Sequence, residues 1–101
     1  MAGSVIQADT TIGENSIINT SASVDHDCRI GPHVHVAPGS ILGGGVSIGE
    51  GAVIGMGAKI LPNIPIGRGA KVGAGALVTK PVADSMTVLG VPAREMGRKP
   101  V

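Results

Sequence analysis

The chain is organised by a six-residue repeat of apolar positions. Every sixth residue is a branched aliphatic, and no insertion interrupts the series: Ile6, Ile12, Ile18, Val24, Ile30, Val36, Leu42, Ile48, Ile54, Ile60, Ile66, Val72 and Val78. Four residues after each of these comes a small or aliphatic side chain, from Thr10 to Val82. A fixed period sustained in this way is typical of a solenoid, in which each coil packs on its neighbours.

The repeat predicts short strands joined by corners. Six residues accommodate a strand of about three residues plus a turn. The residue after each aliphatic is usually Gly, Asn or Asp, and we expect it to adopt the corner geometry that other residues resist. The dipeptide Ile-Gly recurs every 18 residues, at Ile12, Ile30, Ile48 and Ile66, so three sides make one coil. We therefore expect an all-β, parallel β-helix of a little over four coils in residues 1–82.

The last part of the chain departs from the repeat. Asp84 stands at the next inward position after Val78, where the register fails. Residues 83–101, with Met86, Val88 and Leu89, are predicted to form a short capping tail over the open end of the helix. The repeats begin within the first few residues, so we expect another element to protect the opposite end, or a domain to be missing.

Composition narrows the class of protein. The 101 residues include 17 glycines and no aromatic residue, which fits a narrow interior that admits Ile and Val but no rings. The regular period argues against a disordered Gly-rich chain. A net charge of +1 argues against a general nucleic-acid surface. No signal peptide or membrane-length apolar run is present, so we expect a cytoplasmic protein without a membrane partner. The single cysteine, Cys28, occupies a small inward position and is predicted to be a core residue.

Three histidines, His26, His33 and His35, lie close together and off the inward positions. His26 stands between Asp25 and Asp27, and a carboxylate beside an imidazole fixes its tautomer and raises its basicity. The residues alone leave open a general base or a surface group without a role.

A metal site is the competing interpretation of these histidines. Zinc-dependent carbonic anhydrases with a similar repeat use histidines on stacked coils, but the positions one coil after His26 and His35 are Gly44 and Val53. We therefore expect no metal.

The repeat resembles the left-handed β-helix of the hexapeptide-repeat acyltransferases over about Ile6 to Val82. Residues 23–45, SVDHDCRIGPHVHVAPGSILGGG, are similar to sugar O- and N-acetyltransferases typified by the sialic acid O-acetyltransferase and the bacillosamine-pathway acetyltransferase. The resemblance implies left-handed coils, acetyl-CoA as co-substrate, a sugar or nucleotide-sugar acceptor and a homotrimer with active sites between subunits. Those relatives carry an N-terminal nucleotide-sugar-binding domain that this sequence lacks, which leaves the acceptor open.

The same resemblance implies roles for three residues of the catalytic centre. His26 matches the general base, and Asp27 matches the acidic neighbour that raises its basicity. Gly44 matches a glycine whose backbone N–H serves as the oxyanion donor.

A second set of residues is implied to bind the cofactor. His35 matches a histidine that contacts the thioester end of acetyl-CoA. The main chain at Met56 and Ala74, one coil apart, matches the lining of the cofactor arm, with Gly55 and Gly73 allowing close approach. Three basic residues are further candidates for its phosphates: Lys80, Arg94 and Arg98.

Together these residues imply direct transfer of acetyl to an amine or hydroxyl without a covalent enzyme intermediate. A non-catalytic β-helix scaffold or assembly subunit is the alternative. Metal-dependent hydration chemistry is a third hypothesis.

Overall fold

A computed structural model describes residues 5–96, in which all regular structure is β-strand. The strands are two or three residues long, as the hexad pattern predicts: β1 Val5–Ile6, β2 Thr11–Ile12, β3 Ile17–Ile18, β4 Ser23–Val24, β5 Arg29–Ile30, β6 His35–Val36, β7 Ile41–Leu42, β8 Ser47–Ile48, β9 Val53–Ile54, β10 Lys59–Ile60, β11 Pro65–Ile66, β12 Lys71–Val72, β13 Leu77–Val78, β14 Thr87–Leu89 and β15 Arg94–Glu95. Within residues 5–96 no helix is long and apolar enough to cross a membrane.

The strands stack into three faces of a prism. The first face contains β1, β4, β7, β10 and β13, the second β2, β5, β8 and β11, and the third β3, β6, β9, β12, β14 and β15. Partners in neighbouring coils are 18 residues apart and run parallel, as Val24 does with Leu42. With the hexapeptide repeat, this arrangement is a left-handed parallel β-helix, and the predicted fold class is confirmed.

The two inward positions of each repeat form one continuous core. The branched aliphatics from Ile18 to Val78 and the small residues from Ala22 to Val82 are buried. Cys28 is among them, as predicted. Ser40 is the buried polar member in the described chain, and its hydroxyl lies 2.8 Å from the Ala37 carbonyl and 2.9 Å from the Gly55 carbonyl. The interior is therefore apolar with its one hydroxyl satisfied.

The left-handed backbone turn falls two residues later than the sequence pattern suggested. Positive φ angles recur every six residues, from Asp9 at 59° to Gly75 at 71°. The glycines that directly follow an aliphatic are constrained by stacking instead. A Cβ on Gly49, for example, would lie 2.7 Å from the backbone nitrogen of Arg68 in the next coil. Glycine is needed there because the coils approach closely.

The coil continues past residue 82 through a shift of two residues. Val82 bridges to Ile66 and Val88 pairs with Val72, each 16 residues away instead of 18. Asp84 thereby leaves the core, and its Oδ1 accepts the Arg68 backbone N–H at 2.8 Å. Counting the Val82 bridge and leaving out the antiparallel β15, each face carries five parallel segments, so the prism has about five coils where the hexad count gave a little over four.

The end of the described chain folds back on the prism. β15 pairs antiparallel with β14 on the third face, and Met86 is partly buried against the core. The division into a helix of residues 1–82 and a tail of residues 83–101 stays a prediction, and residues 97–101 lie outside the described part of the chain.

Candidate active site

His26 lies at the corner between the first and second faces. It follows β4, and its side chain is 63% exposed. Its Nδ1 is 2.9 Å from Asp27 Oδ2, and its backbone N–H donates to Asp25 Oδ1 at 2.7 Å. Because Asp27 accepts at Nδ1, the neutral ring carries its proton there and leaves Nε2 able to accept one. The carboxylate oxygen of Asp25 is 3.9 Å from Nε2, outside hydrogen-bonding distance.

The charged groups that shift the pKa of His26 are all acidic. The Asp27 hydrogen bond, followed by the negative charge of Asp25, raises the pKa of His26 above its ordinary value of 6.5, and Asp9 contributes in the same direction. A carboxylate favours the protonated imidazole. The local field therefore makes His26 a stronger base than a solvated histidine.

The imidazole of His26 lies against Gly44, one coil further along the chain. A Cβ at residue 44 would be 3.0 Å from Cε1 and 3.1 Å from Nε2 of the ring. The Gly44 carbonyl accepts the Asn63 N–H at 2.8 Å, whereas within residues 5–96 no acceptor opposes the Gly44 N–H. The catalytic residues implied by the resemblance, His26, Asp27 and Gly44, are thus neighbours, and the amide of Gly44 is available as a donor.

His35 occupies a different part of the prism. It is exposed on the third face, in β6, between Ile17 and Val53 of the neighbouring strands. Its Nε2 is 2.7 Å from Asn19 Nδ2. The sequence pattern gives Asn19, which follows Ile18, only the place of a corner residue, so this contact was not predicted; an asparagine 16 positions before a histidine in an 18-residue coil was the available signal.

Met56 and Ala74 stack at the corner between the third and first faces. Met56 follows the dipeptide Ile54-Gly55, and Ala74 follows the equivalent dipeptide Val72-Gly73. The Met56 carbonyl accepts the Gly75 N–H at 2.8 Å. The N–H groups of Met56 and Ala74 have no acceptor within residues 5–96. Two open donors one coil apart, about 4.8 Å, suit an extended ligand with several amides and carbonyls.

Stacking of the coils explains why glycine occurs at Gly55 and Gly73, whether or not a ligand binds there. A Cβ on Gly55 would lie 2.7 Å from the Ala74 backbone nitrogen, and one on Gly73 would collide with the side chain of Leu89. Gly57 and Gly75, in contrast, have no atom within 4 Å of a built Cβ. Contact of Gly55 and Gly73 with a cofactor remains a prediction. The open space at this corner lies instead over Gly57 and Gly75.

The two groups of residues are separated within one chain. His26, Asp27 and Gly44 lie at the corner where the first face meets the second, whereas His35, Met56 and Ala74 lie on the third face and its corner with the first. The full width of the first face stands between them. A single site that uses both groups therefore requires a second copy of the chain.

Two further expectations concern basic residues and metal. Lys80 and Arg94 line a cavity of about 340 Å³ beside the apolar end of the core at Val78 and Val88. Arg98 lies outside the described residues. In residues 5–96 no group of three or more His, Cys, Asp or Glu side chains is arranged to hold a metal ion. Burial raises the pKa of the Cys28 thiol, which disfavours the thiolate.

The profile of one protein family matches most of the chain. It is described as "Bacterial transferase hexapeptide (six repeats)" and matches residues 9–44 and 45–80. The chain belongs to this family. The membership agrees with the stacked hexads and with the resemblance found in the sequence.

Solved structures of acetyltransferases share the same fold. A GDP-perosamine N-acetyltransferase from Caulobacter crescentus, in complex with CoA and GDP-perosamine, is 49% identical with a TM-score of 0.96 over 97% of this chain and 47% of its own. The acetyltransferase domain of PglB from Neisseria gonorrhoeae, in complex with acetyl coenzyme A, is 42% identical with a TM-score of 0.94 over 95% and 47%. A serine acetyltransferase in complex with CoA is 39% identical with a TM-score of 0.82 over 86% and 39%. This chain spans about half the length of the first two proteins and 39% of the length of the third.

Proposed function

We propose that this chain is an acetyltransferase that moves acetyl from acetyl-CoA to the amine of a sugar, with His26 as the general base. The observation that carries the proposal is the pair of His26 and Asp27, in which Nδ1 is engaged at 2.9 Å and Nε2 is left to accept a proton. The similarity to acetyltransferases that hold CoA or acetyl coenzyme A supports the co-substrate.

The proposed reaction uses three groups of the chain. His26 Nε2 takes a proton from the acceptor amine as the amine attacks the thioester carbonyl carbon. The Gly44 N–H donates to the oxyanion of the tetrahedral intermediate. The intermediate collapses, the carbon–sulfur bond breaks, and the proton held by His26 neutralises the departing thiolate.

Acetyl-CoA would lie along the corner formed by Met56 and Ala74. Their open N–H groups repeat along the prism axis, which is the direction of an extended cofactor arm. His35 would meet the thioester end. Since the base lies beyond the first face, we propose a homotrimer in which His26 of one subunit and His35 of a neighbour complete each site.

An amino sugar is proposed as acceptor because the 49% identical relative is described as acting on GDP-perosamine as an N-acetyltransferase. A hydroxyl acceptor is the other outcome to be tested, along with a scaffold that binds no cofactor.

The first test is calorimetric titration of acetyl-CoA into the purified chain, followed by replacement of His26. We expect saturable binding near one site per chain, and we expect His26→Ala to lower turnover about 10²-fold or more, the usual contribution of a general base. His33→Asn is the matched control, because His33 lies at another corner with φ of 59°, which Asn tolerates. No binding, or turnover within a few-fold of the parent for His26→Ala, would contradict the proposal.

A further inference from the structure

Asn19 connects two coils on the third face. It follows β3, and its backbone N–H donates to the Val36 carbonyl at 2.9 Å. Its side-chain Nδ2 lies 3.3 Å from the same carbonyl and 2.7 Å from His35 Nε2. The amide thus sits between a peptide oxygen and an imidazole nitrogen.

The Val36 contact decides which way the amide is turned. A carbonyl oxygen only accepts, so the nitrogen end of the Asn19 amide must be the one near Val36. The same Nδ2 atom then donates its second hydrogen to His35 Nε2. An imidazole nitrogen that accepts carries no proton, and the proton of the neutral ring stands on Nδ1.

His35 and His26 are in this respect complementary. Both rings carry the proton on Nδ1 when neutral. In His26 that N–H is taken by Asp27 and the accepting nitrogen is open, whereas in His35 the accepting nitrogen is taken by Asn19. Within residues 5–96 no group opposes His35 Nδ1, so its N–H is open to a ligand.

We propose that Asn19 is a positioning residue that holds His35 in the Nδ1–H tautomer, so that His35 meets the thioester carbonyl oxygen of acetyl-CoA as a hydrogen-bond donor and not as a base. This inference rests on the proposed function. The carbonyl oxygen gains negative charge during attack, and a fixed N–H aimed at it stabilises that charge. The reaction would then have one proton acceptor, His26, and a donor on the neighbouring subunit.

The direct test is the tautomer of His35. The sequence has three histidines, so long-range ¹H–¹⁵N spectra of histidine-labelled protein resolve each ring, and His35→Gln assigns the signals. At a pH where the rings are neutral, we expect an unprotonated Nε2 for His35. Asn19→Asp keeps the shape but places an acceptor opposite Nε2, so we expect the proton to move to Nε2 or the ring to become charged. A parent protein with Nε2–H on His35 would overturn the proposal.

Kinetics provide the second readout. We expect Asn19→Asp to lower kcat/KM for acetyl-CoA about tenfold or more, which corresponds to one ordinary hydrogen bond, with Asn19→Ala affected in the same direction. Asn15→Asp is the control because it makes the same change at a corner away from His35, with φ of 58° that Asp also adopts at Asp9 and Asp27.

The outcomes separate this inference from the proposed function. If the parent does not bind acetyl-CoA, the proposed function fails and the thioester role of His35 fails with it. If the parent binds and turns over acetyl-CoA but Asn19→Asp changes neither the tautomer nor kcat/KM, only the role of Asn19 is overturned.

Discussion

At the scale of single residues, the chemistry of this protein depends on what lies one residue or one coil away from each imidazole. His26 is exposed, yet three carboxylates raise its pKa and its ring lies against Gly44. His35 is exposed as well, and one amide sets its tautomer. Neither histidine is held by burial, so the neighbouring polar groups are the targets for mutation.

Asp27→Asn tests the origin of the basicity of His26. The substitution removes the largest cause of the raised pKa, so the pKa of His26 moves down towards 6.5. The base acts when unprotonated, and a raised pKa keeps it protonated to higher pH. The acid limb of the pH profile of kcat/KM should therefore move to lower pH, while the maximal rate falls because the tautomer is no longer fixed.

Asp9→Asn is the control for that experiment, because Asp9 is the weakest of the three acidic contributors to the pKa. It should move the acid limb less. NMR titration of His26 gives the same comparison without turnover. An acid limb that stays in place or moves to higher pH in Asp27→Asn would contradict the assignment.

Gly44→Ala tests whether the ring of His26 needs the open space at residue 44. The variant keeps the backbone N–H but places a methyl group 3.0 Å from Cε1, so the ring must shift by a few tenths of an ångström. We expect kcat to fall about tenfold to a hundredfold, since small displacements of a base are costly, with the Kd of acetyl-CoA unchanged. Pro62→Ala, at the same corner two coils from His26, is the control. An unchanged kcat would show that the ring tolerates the methyl group.

At the scale of the strands, stability comes from coils that are covered on both sides. Ile54 is fully buried in β9, between Val36 and Val72 of the adjacent coils. Ile6 occupies the equivalent position of its hexad in β1 but is 39% exposed, and within residues 5–96 β1 pairs with one strand, β4. Residues at the same position of the hexad therefore contribute differently to the free energy of unfolding, depending on where their coil lies along the prism axis.

Ile54→Ala and Ile6→Ala form a matched pair for this effect. We expect Ile54→Ala to lower the free energy of unfolding by about 2–5 kcal/mol, because it leaves a cavity between coils. Ile6→Ala should cost less than about 1 kcal/mol, as for a surface substitution. Urea denaturation followed by circular dichroism measures both, since the chain has no aromatic residue. If both variants lost the same free energy of unfolding, burial between two coils would not be what makes Ile54 more important than Ile6.

The strands also show where a sequence pattern reaches its limit. The hexads predicted every inward aliphatic of the described coils from Ile18 to Val78. They placed Val82 inward, but they did not predict that Val82 and Val88 would pair with residues 16 positions earlier instead of 18. A search for a fixed period cannot detect a coil that is two residues shorter, because strand pairing with the preceding coil, and not the spacing along the chain, decides which residues face inward.

At the scale of the whole molecule, the separation of His26 from His35 predicts how variants should complement each other. A preparation that mixes His26→Ala and His35→Ala chains contains interfaces with an intact His26 on one side and an intact His35 on the other. Random mixing in a cyclic trimer gives such interfaces at about one quarter of the sites, so about a quarter of the parent activity should return. Co-expression and assay of the purified mixture test this, with light scattering for the number of subunits.

Each variant expressed alone is the control and should show well below a quarter of the parent activity. A mixture no more active than its parts would contradict a site shared between subunits. A monomer by light scattering would contradict the homotrimer.

The amino-acid sequence by itself determined the β-helix, its three faces and its core, because burial in a solenoid repeats with the period of the coil and leaves its mark on every sixth residue. It also singled out His26 between two aspartates, whereas the roles of Asp27 and Gly44 came from the resemblance to the hexapeptide-repeat acyltransferases. Only the tertiary structure decided that Asn19 reaches His35, that the ring of His26 rests on Gly44, and that the two histidines lie on opposite sides of the first face. The backbone of the corners follows the six-residue period, but the side-chain contacts of polar corner residues do not, because they depend on side-chain reach between stacked coils.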